Sequence, residues 1–204
     1  MSLINKIYLS CAHGMLKGLD RTRKYPFEVQ KEVFATLLKG GADTIFGSEH
    51  GFSKINSIQD FQRQVPVRDY NALYPYIERL RFGENYVLWN EKTHFFAKSS
   101  GTSSGKSKFI PITHTNLREC HYGGMLRMLA NYVQNYPDSR IYSGKSITLG
   151  GSVAPDFGGR NFSGDLSAIL LRNSPALAEL LRIPNKKIAM MHDFHEKVEI
   201  ICRK

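Results

Sequence analysis

The sequence has 204 residues, enough for one large domain or two small ones, and a chain of that length buries roughly 70% of its unfolded surface without a disulfide or metal staple. With 42% hydrophobic, 11% aromatic and 23% charged residues it is neither disordered nor collagen-like nor a coiled coil. Its 28 Lys and Arg against 18 Asp and Glu give a net charge of +10, which favours an anionic partner.

The densest basic clusters, Arg21, Arg23 and Lys24, then Lys186 and Lys187, are too short for a nucleic-acid arm and read as solvated surface. Cys11, Cys120 and Cys202 are widely separated and odd in number, which reads as buried reduced thiols rather than a disulfide framework. No window approaches the ~18 apolar residues of a membrane span, because Lys6, Lys17, Lys39 and their successors interrupt each one. The stretch from Ile7 to Ala12 is too short and polar for a signal peptide. A cytoplasmic protein with neither a nucleic-acid nor a membrane partner is expected.

In chain order, Pro26 marks a first helical turn, and Phe27, Val33, Phe34, Leu37 and Leu38 form an apolar stripe that stops at Gly40-Gly41. Ser57 caps a short helix that yields to Val65-Pro66-Val67, and Asp69 caps another through Leu73, Tyr76, Ile77 and Leu80 to near Gly83. Pro75 lies inside that segment and either bends it or ends it early. After Glu84 the pattern changes. Tyr86–Trp89, Thr93–Ala97 and Phe109–Ile112 read as strands, the last two flanking a Gly/Ser run.

A long helix follows, capped by Thr113 or Thr115, with Leu117, His121, Met125, Met128, Leu129 and Tyr132 on one face up to Tyr136-Pro137, of which Met125, Met128 and Leu129 read as core. Ser146–Gly151 reads as a strand entering a glycine-rich loop. There Gly150, Gly151, Gly158 and Gly159 either approach a ligand or simply make turns. Asp165 caps a helix through Leu170, Pro175–Leu181 forms a second, and the end of the chain is a helix or strand in progress. The organisation is α/β with a mixed sheet, flanking helices and a helical N-terminal layer, residues 1–84 being mainly helical and 85–204 α/β.

The chemistry lies in Lys98-Ser99-Ser100-Gly101-Thr102-Ser103-Ser104-Gly105-Lys106-Ser107-Lys108. Glycines let backbone N–H groups turn toward a ligand, hydroxyls add short donors and lysines neutralise charge, which together make a phosphate cradle. From Lys92 to Arg118 there are four lysines, one arginine and no Asp or Glu. Three readings fit the run. A Walker loop, G-x-x-x-x-G-K-[ST], is one residue longer between its glycines than Gly101-Thr102-Ser103-Ser104-Gly105-Lys106-Ser107. A flexible linker matches the composition but not the strand-like residues abutting it on both sides.

The third reading is a resemblance. Ser99–Lys108 followed by Phe109-Ile110-Pro111 resembles the nucleotide motif of the auxin-responsive acyl-acid amido synthetases, adenylate-forming enzymes that include jasmonate- and auxin-conjugating proteins. Gln30–Phe34, Phe61–Tyr70, Leu73–Ile77, Gly83-Glu84 and Val87–Trp89 stand upstream in the family's order, so the resemblance covers residues 25 to 135 with a looser continuation.

That resemblance implies the N-terminal portion of the large domain of an adenylate-forming enzyme. Such an enzyme uses ATP with Mg2+, a small carboxylic acid and an amine or amino acid, and makes an amide through an acyl adenylate. It places Ser99, Ser100, Gly101, Thr102, Ser103, Ser104 and Gly105 on the phosphate loop, residues 98–108, and Lys108 on the motif's lysine, the expected catalytic position. The helix after the loop borders the family's acyl site, so Arg127 and Tyr132 are candidate substrate contacts. Family members are much longer, which makes an N-terminal fragment, inactive alone, the expectation. Self-association through exposed apolar surface accompanies it. The alternative is a non-catalytic nucleotide- or protein-binding module. His192–Glu196 lacks the H-E-x-x-H pattern and a third ligand, so no metal site is expected there, and Cys120-His121 point to different helix faces.

Overall fold

The computed structural model describes residues 3–99, 101, 107–156 and 159–203. Its elements are α1 (Leu3–Lys24), α2 (Pro26–Gly41), α3 (Ile45–Glu49), a 3-10 turn (Phe52–Lys54), α4 (Ile58–Gln64), α5 (Tyr70–Arg81), β1 (Phe95–Lys98), β2 (Phe109–Ile112), a π-helical stretch (Asn116–Tyr122), α6 (Gly123–Asn135), β3 (Ser146–Ile147), β4 (Val153–Pro155), β5 (Phe162–Gly164), α7 (Leu166–Asn173), α8 (Ala176–Leu180), β6 (Arg182–Ile183), α9 (Lys186–Ala189) and α10 (Phe194–Cys202). The fold is α/β. One sheet has the order β2-β1-β5-β4, and β3 pairs with β6 in parallel. The chain divides into two compact units: Arg21–His114 with Pro155–Ser163, and Met1–Asp20 with Thr115–Ala154 and Gly164–Lys204.

In the unit that holds residues 21–114, the helix starts are encoded locally. Pro26 occupies the first turn of α2, where a missing N–H is harmless. Thr44, Ser57 and Asp69 each accept a hydrogen bond from the backbone N–H three residues on, opening α3, α4 and α5. Pro75 does not end α5, which runs on to Arg81. Ile77 and Leu80 in its second half are 5% and 2% exposed, and that burial offsets the hydrogen bond lost at the proline. The core of this unit gathers Ile77, Leu80, Val87 and Phe96, with Tyr70, Leu73 and Phe109 packed against it.

Tyr86–Trp89, expected as a strand, is irregular. The carbonyls of Tyr86 and Val87 accept from the N–H groups of Ile45 and Phe46 at 3.1 and 3.0 Å, and Tyr86 adopts φ 57°. With those two carbonyls turned to the first turn of α3, the segment forms no strand ladder. Its apolar residues serve packing: Val87 is fully buried, and Trp89 lies so close to Gly40 that a Cβ there would approach Cη2 to 2.5 Å.

In the other unit, residues 3–20, for which the sequence pattern assigns no element of its own, belong to the 22-residue α1. Asn5, fully buried, donates to the carbonyls of Pro137 and Ser139 at 2.9 Å each, and the Tyr8 hydroxyl donates to Leu126 O at 2.7 Å. The strand expected over Ser146–Gly151 ends at Ile147, and the expected glycine-rich loop contains β4 and β5. Gly164 abuts the Ser152 carbonyl, an approach that a side chain would block, so here glycine marks a close backbone contact inside a strand rather than a turn. Asp165 precedes α7 without capping it; its Oδ2 accepts from Ser152 N–H at 3.2 Å. The chain's last described segment is helical, α10, with Asp193 as its cap.

Two expectations about burial are corrected. All three cysteines are exposed free thiols. Met125 and Met128, read as core, are 48% and 63% exposed; the buried residues of this helix are Ala130 and Val133, with Leu117 in the preceding π-helical stretch. Hydrophobic spacing located the helix face but could not say whether packed protein or a cavity lies against it.

Candidate functional site

β1 and β2 are antiparallel, with Phe95 opposite Ile112, Phe96 opposite Pro111, Ala97 opposite Ile110 and Lys98 opposite Phe109. One step further along, Ser99 N–H donates to Lys108 C=O at 2.9 Å, and Lys108 N–H donates to the Ser99 hydroxyl at 3.0 Å. Ser99 and Lys108 therefore form the neck of a hairpin, and the hydroxyl-rich run is its connection. Gly101, just past the neck, has φ +68°, the left-handed conformation that favours glycine. Ser100, Thr102, Ser103, Ser104 and Gly105 lie outside the described residues.

Three consecutive residues of the Phe61–Tyr70 block have separate tasks around this neck and its supporting helix. The Arg68 guanidinium lies 5.4 Å from the Phe46 ring centroid and 6.0 Å from that of Tyr76. Asp69 Oδ1 accepts from Ala72 N–H at 2.8 Å and so begins α5. The Tyr70 hydroxyl accepts from Phe109 N–H at 2.7 Å, and the Tyr70 ring centroid lies 5.5 Å from Lys108 Nζ. At the far end of the same helix, the Arg81 guanidinium stacks 3.5 Å from the Phe109 ring centroid. It also makes two bonds to Asp156, Nε to Oδ2 at 2.9 Å and Nη2 to Oδ1 at 2.8 Å. The Asp156 carboxylate holds the Arg81 guanidinium above its usual pKa, against the effect of desolvation.

A cavity of about 590 Å3 lies within the other unit. His121, Tyr122, Met125 and Leu129 form one wall, Ile141 and Thr148 contribute to a second, and Leu170, Leu171, Leu181 and Arg182 to a third. The volume lies within the ~300–1,000 Å3 of small-molecule sites, and a mostly apolar lining with a few polar groups is their usual chemistry. Arg182 is 7% exposed and pairs with Glu179, yet its Nε has no hydrogen-bond partner; burial lowers its pKa, though a guanidinium stays charged at neutral pH. The Tyr122 hydroxyl donates to Leu170 O at 2.7 Å, and burial raises its pKa.

The two candidate acid contacts sit on α6 but outside that lining. In the π-helical stretch, Gly123 N–H bonds the carbonyls of Arg118 and Cys120, which bypasses the Glu119 carbonyl. Arg127 Nη2 donates to that bypassed carbonyl at 2.7 Å. A π turn redirects the helical face that follows it, and here it carries Met125 and Leu129 to the cavity. Tyr132 is 43% exposed, its ring 5.0 Å from that of Tyr136. Among the described residues no group of three His, Cys, Asp or Glu side chains comes together to hold a metal ion, and no helix is long and apolar enough to cross a membrane.

Residues 15–154, well over half of the chain, match the family model described as the GH3 family N-terminal domain. The chain belongs to the GH3 family. Similar curated GH3 proteins include the putative indole-3-acetic acid-amido synthetase GH3.9 of Arabidopsis thaliana, 32% identical over 106 residues that cover 51% of this chain and 18% of that protein. The indole-3-acetic acid-amido synthetase GH3.8 of Oryza sativa subsp. indica is 31% identical over 121 residues, covering 58% and 20%. The jasmonoyl–L-amino acid synthetase JAR6 of Nicotiana attenuata is 31% identical over 86 residues, covering 42% and 15%.

Among solved structures, the GH3.15 acyl acid amido synthetase superposes with a TM-score of 0.70 at 21% identity, over 89% of this chain and 32% of that one. AtGH3.15 in complex with 2,4-DB gives 0.71 at 20% identity, over 93% and 32%. The chain thus shares the GH3 fold and matches 15 to 20% of the length of these three curated relatives.

Sequence reasoning reached the loop and missed what supports it. Tyr70 was legible as the end of the resembling Phe61–Tyr70 block and Arg81 only as a helix residue; that α5 is one helix with Tyr70, Tyr74, Ile77 and Arg81 at i, i+4, i+7 and i+11 was the available signal that they share a face.

Proposed function

We propose that this chain is the nucleotide-phosphate and acid-binding N-terminal portion of an ATP-dependent acyl-acid amido synthetase. In that reaction a carboxylate oxygen attacks the α-phosphorus of ATP. The α–β phosphoanhydride bond breaks, and pyrophosphate leaves with its Mg2+. An amine then attacks the acyl carbonyl of the adenylate. The carbon–oxygen bond to AMP breaks, the nitrogen loses a proton, and an amide remains.

The observation that carries the reading is the Ser99–Lys108 neck, which closes the hydroxyl-rich run into a hairpin connection with Gly101 in a left-handed conformation. Ser99, Ser100, Gly101, Thr102, Ser103, Ser104 and Gly105 are the proposed phosphate-binding residues, and Lys108 neutralises the charge that develops as pyrophosphate departs. Mg2+ is proposed to arrive with the nucleotide, held by its phosphates. The apolar body of the acid is assigned to the cavity lined by Met125, Leu129 and Leu171, where Arg182 Nε offers a hydrogen bond to an acceptor on that body. Arg127 and Tyr132 remain proposed acid contacts on α6.

Because the chain spans about a fifth of the length of these relatives, the activity of the whole synthetase is carried to it as part of this proposal. By itself the chain binds ATP and releases no pyrophosphate at an enzymatic rate. A cytoplasmic location and self-association through exposed apolar side chains such as Phe27, 81% exposed, complete the reading. Calorimetric titration of the purified chain with Mg-ATP, against Lys108→Ala, tests it. Saturable binding that the variant loses is the expected result; absence of binding in both leaves a non-catalytic module in its place.

A further inference from the structure

β2 is the edge strand of its sheet. In an antiparallel pair the residues alternate between exchanging hydrogen bonds with the partner strand and turning their N–H and C=O away from it. Ser99 and Lys108 bond to one another, so Phe109, the next residue, directs its N–H and C=O away from β1 toward the open edge. The following outward position on this edge is Pro111, which has no N–H. Phe109 N–H is therefore the donor left on the open edge between Lys108 and Pro111, and an unpaired edge donor is a weak point where a strand frays or shifts.

Tyr70 fills it. Its hydroxyl accepts from Phe109 N–H at 2.7 Å and lies 3.4 Å from Phe109 O. The same side chain meets the neighbouring residue with its ring, whose centroid is 5.5 Å from the half-buried Lys108 ammonium, within the ~6 Å range of a cation–π contact. One residue thus fixes both the backbone after Lys108 and the position of the Lys108 side chain. It is itself fixed: Tyr70 is the first residue of α5, directly after the Asp69 cap, and its ring lies 5.9 Å from that of Tyr74 one turn along. Lysine's four-carbon stem is otherwise free to sample many rotamers, and each must be given up when the ammonium meets a phosphate.

We propose that Tyr70 is the positioning residue for Lys108: it pre-orders the ammonium at the hairpin neck so that polyphosphate binding costs less rotamer freedom. This rests on the reading of the hairpin as a polyphosphate site. The ligand class that should feel Tyr70 is one with β- and γ-phosphates, whereas a nucleotide with the α-phosphate alone should be nearly indifferent to it.

The full chain is compared with Tyr70→Leu, which removes ring and hydroxyl, and Tyr70→Phe, which keeps the ring. In ligand-free protein with 13C-labelled lysine, the methylene beside the Lys108 ammonium should be shifted upfield by the ring, retain that shift in Tyr70→Phe and lose it in Tyr70→Leu. In Mg-ATP and AMP titrations, the preference for ATP over AMP should fall about tenfold in Tyr70→Leu, equivalent to roughly 1.4 kcal/mol, and by less in Tyr70→Phe. A purely structural role would weaken both nucleotides alike and leave their ratio intact, even in a partly destabilised variant. A wild-type chain that binds Mg-ATP while Tyr70→Leu keeps the wild-type ratio overturns the role of Tyr70 alone. A wild-type chain that binds no ATP overturns the polyphosphate reading, and Tyr70's role with it.

Discussion

Arg81 and Asp156 lie 75 residues apart in sequence and meet side-on through two parallel hydrogen bonds, their side chains 6% and 7% exposed. The guanidinium plane that faces Asp156 at its edge also covers the Phe109 ring. This pair therefore ties the end of α5 to the Pro155–Ser163 segment and presses on the strand that carries Lys108 into the hairpin. Planar, delocalised charge suits both contacts at once, and a lysine would satisfy neither geometry.

Asp156→Ala leaves a guanidinium buried beside one fewer carboxylate. The expected loss is about 3–5 kcal/mol in urea unfolding, the usual cost of breaking one side of a buried pair. Replacing both partners, Arg81→Met with Asp156→Leu, should recover much of it, because the desolvation of both charges disappears together. An Asp156→Ala chain within about 1 kcal/mol of wild type would mean that water already solvates Arg81 and that the pair is not buried in solution.

Asn161 works beside that pair. It is 2% exposed, and its side-chain amide donates to the carbonyls of Leu80 and Arg81 at 3.0 Å each, two acceptors at the C-terminal end of α5. Helix ends leave such carbonyls unpaired unless something meets them; Leu80 O also accepts from Gly83 N–H at 3.0 Å, so there the Asn161 amide adds a further donor. Asn161→Ala should cost about 1–3 kcal/mol, while Asn161→Asp should cost more, since a carboxylate would face two carbonyl oxygens. Equal stability of the three chains in chemical denaturation would remove Asn161 from this role.

The legible parts of the sequence were those governed by local rules. Ser57 and Asp69 announce helix starts because a cap bonds its own first turn, and Pro26 because its fixed φ and missing N–H suit a first turn. The two strands were legible because aromatic and β-branched runs flank a small-residue loop, while their antiparallel pairing came from the structure. What escaped depends on distant partners. Tyr86–Trp89 has strand composition, but α3 uses its carbonyls. The glycine-rich stretch suggested either ligand approach or turns, while Gly164 at its end is there for a close approach to Ser152 inside a strand. Met125 has core spacing and lines a cavity instead. The motif loop was visible at once, while the residues that hold its neck were not: Tyr70 was legible only as the end of a resembling block, and Arg81 carries no signature of its own.

Acid should unfold this protein through its caps and surface pairs. Asp60 has its pKa lowered first by the Ser57 hydroxyl and then by Asn56 N–H. Asp193 is lowered mainly by Glu196 N–H at the start of α10, and Glu84 mainly by the Arg79 guanidinium. Each is depressed in the folded chain, so each contributes stability above its unfolded pKa, about 4, and loses it as pH falls through the lower folded value. Thermal midpoints should be nearly flat from about pH 6 to 5 and decline below about pH 4. Asp60→Asn should flatten part of that decline. Added salt should weaken the Arg79–Glu84 contribution more than the caps, since exposed ion pairs are screened. A midpoint that rises on acidification through this range would contradict the assignment.

The cavity predicts a split between binding and stability. Met125 and Leu129 lie on the α6 wall, Met125 half-exposed, so enlarging a side chain there displaces cavity space rather than packed core. Leu129→Trp should leave the thermal midpoint within a few degrees of wild type and, on the proposed acid-binding reading, weaken a carboxylic acid with an apolar body by about tenfold or more. Met125→Ala should tolerate bulkier acids at the expense of small ones, because the wall recedes. Gly150→Ala instead crowds the back of a cavity wall, since Leu171 lines the same cavity. Gly150 is packed directly against Leu171 and its added methyl would also lie 3.3 Å from Ala189 O, so it should lose about 1–3 kcal/mol of stability by overpacking. If Leu129→Trp destabilises as much as Gly150→Ala and both leave acid affinity untouched, the space beside α6 closes in solution and the acid must bind elsewhere.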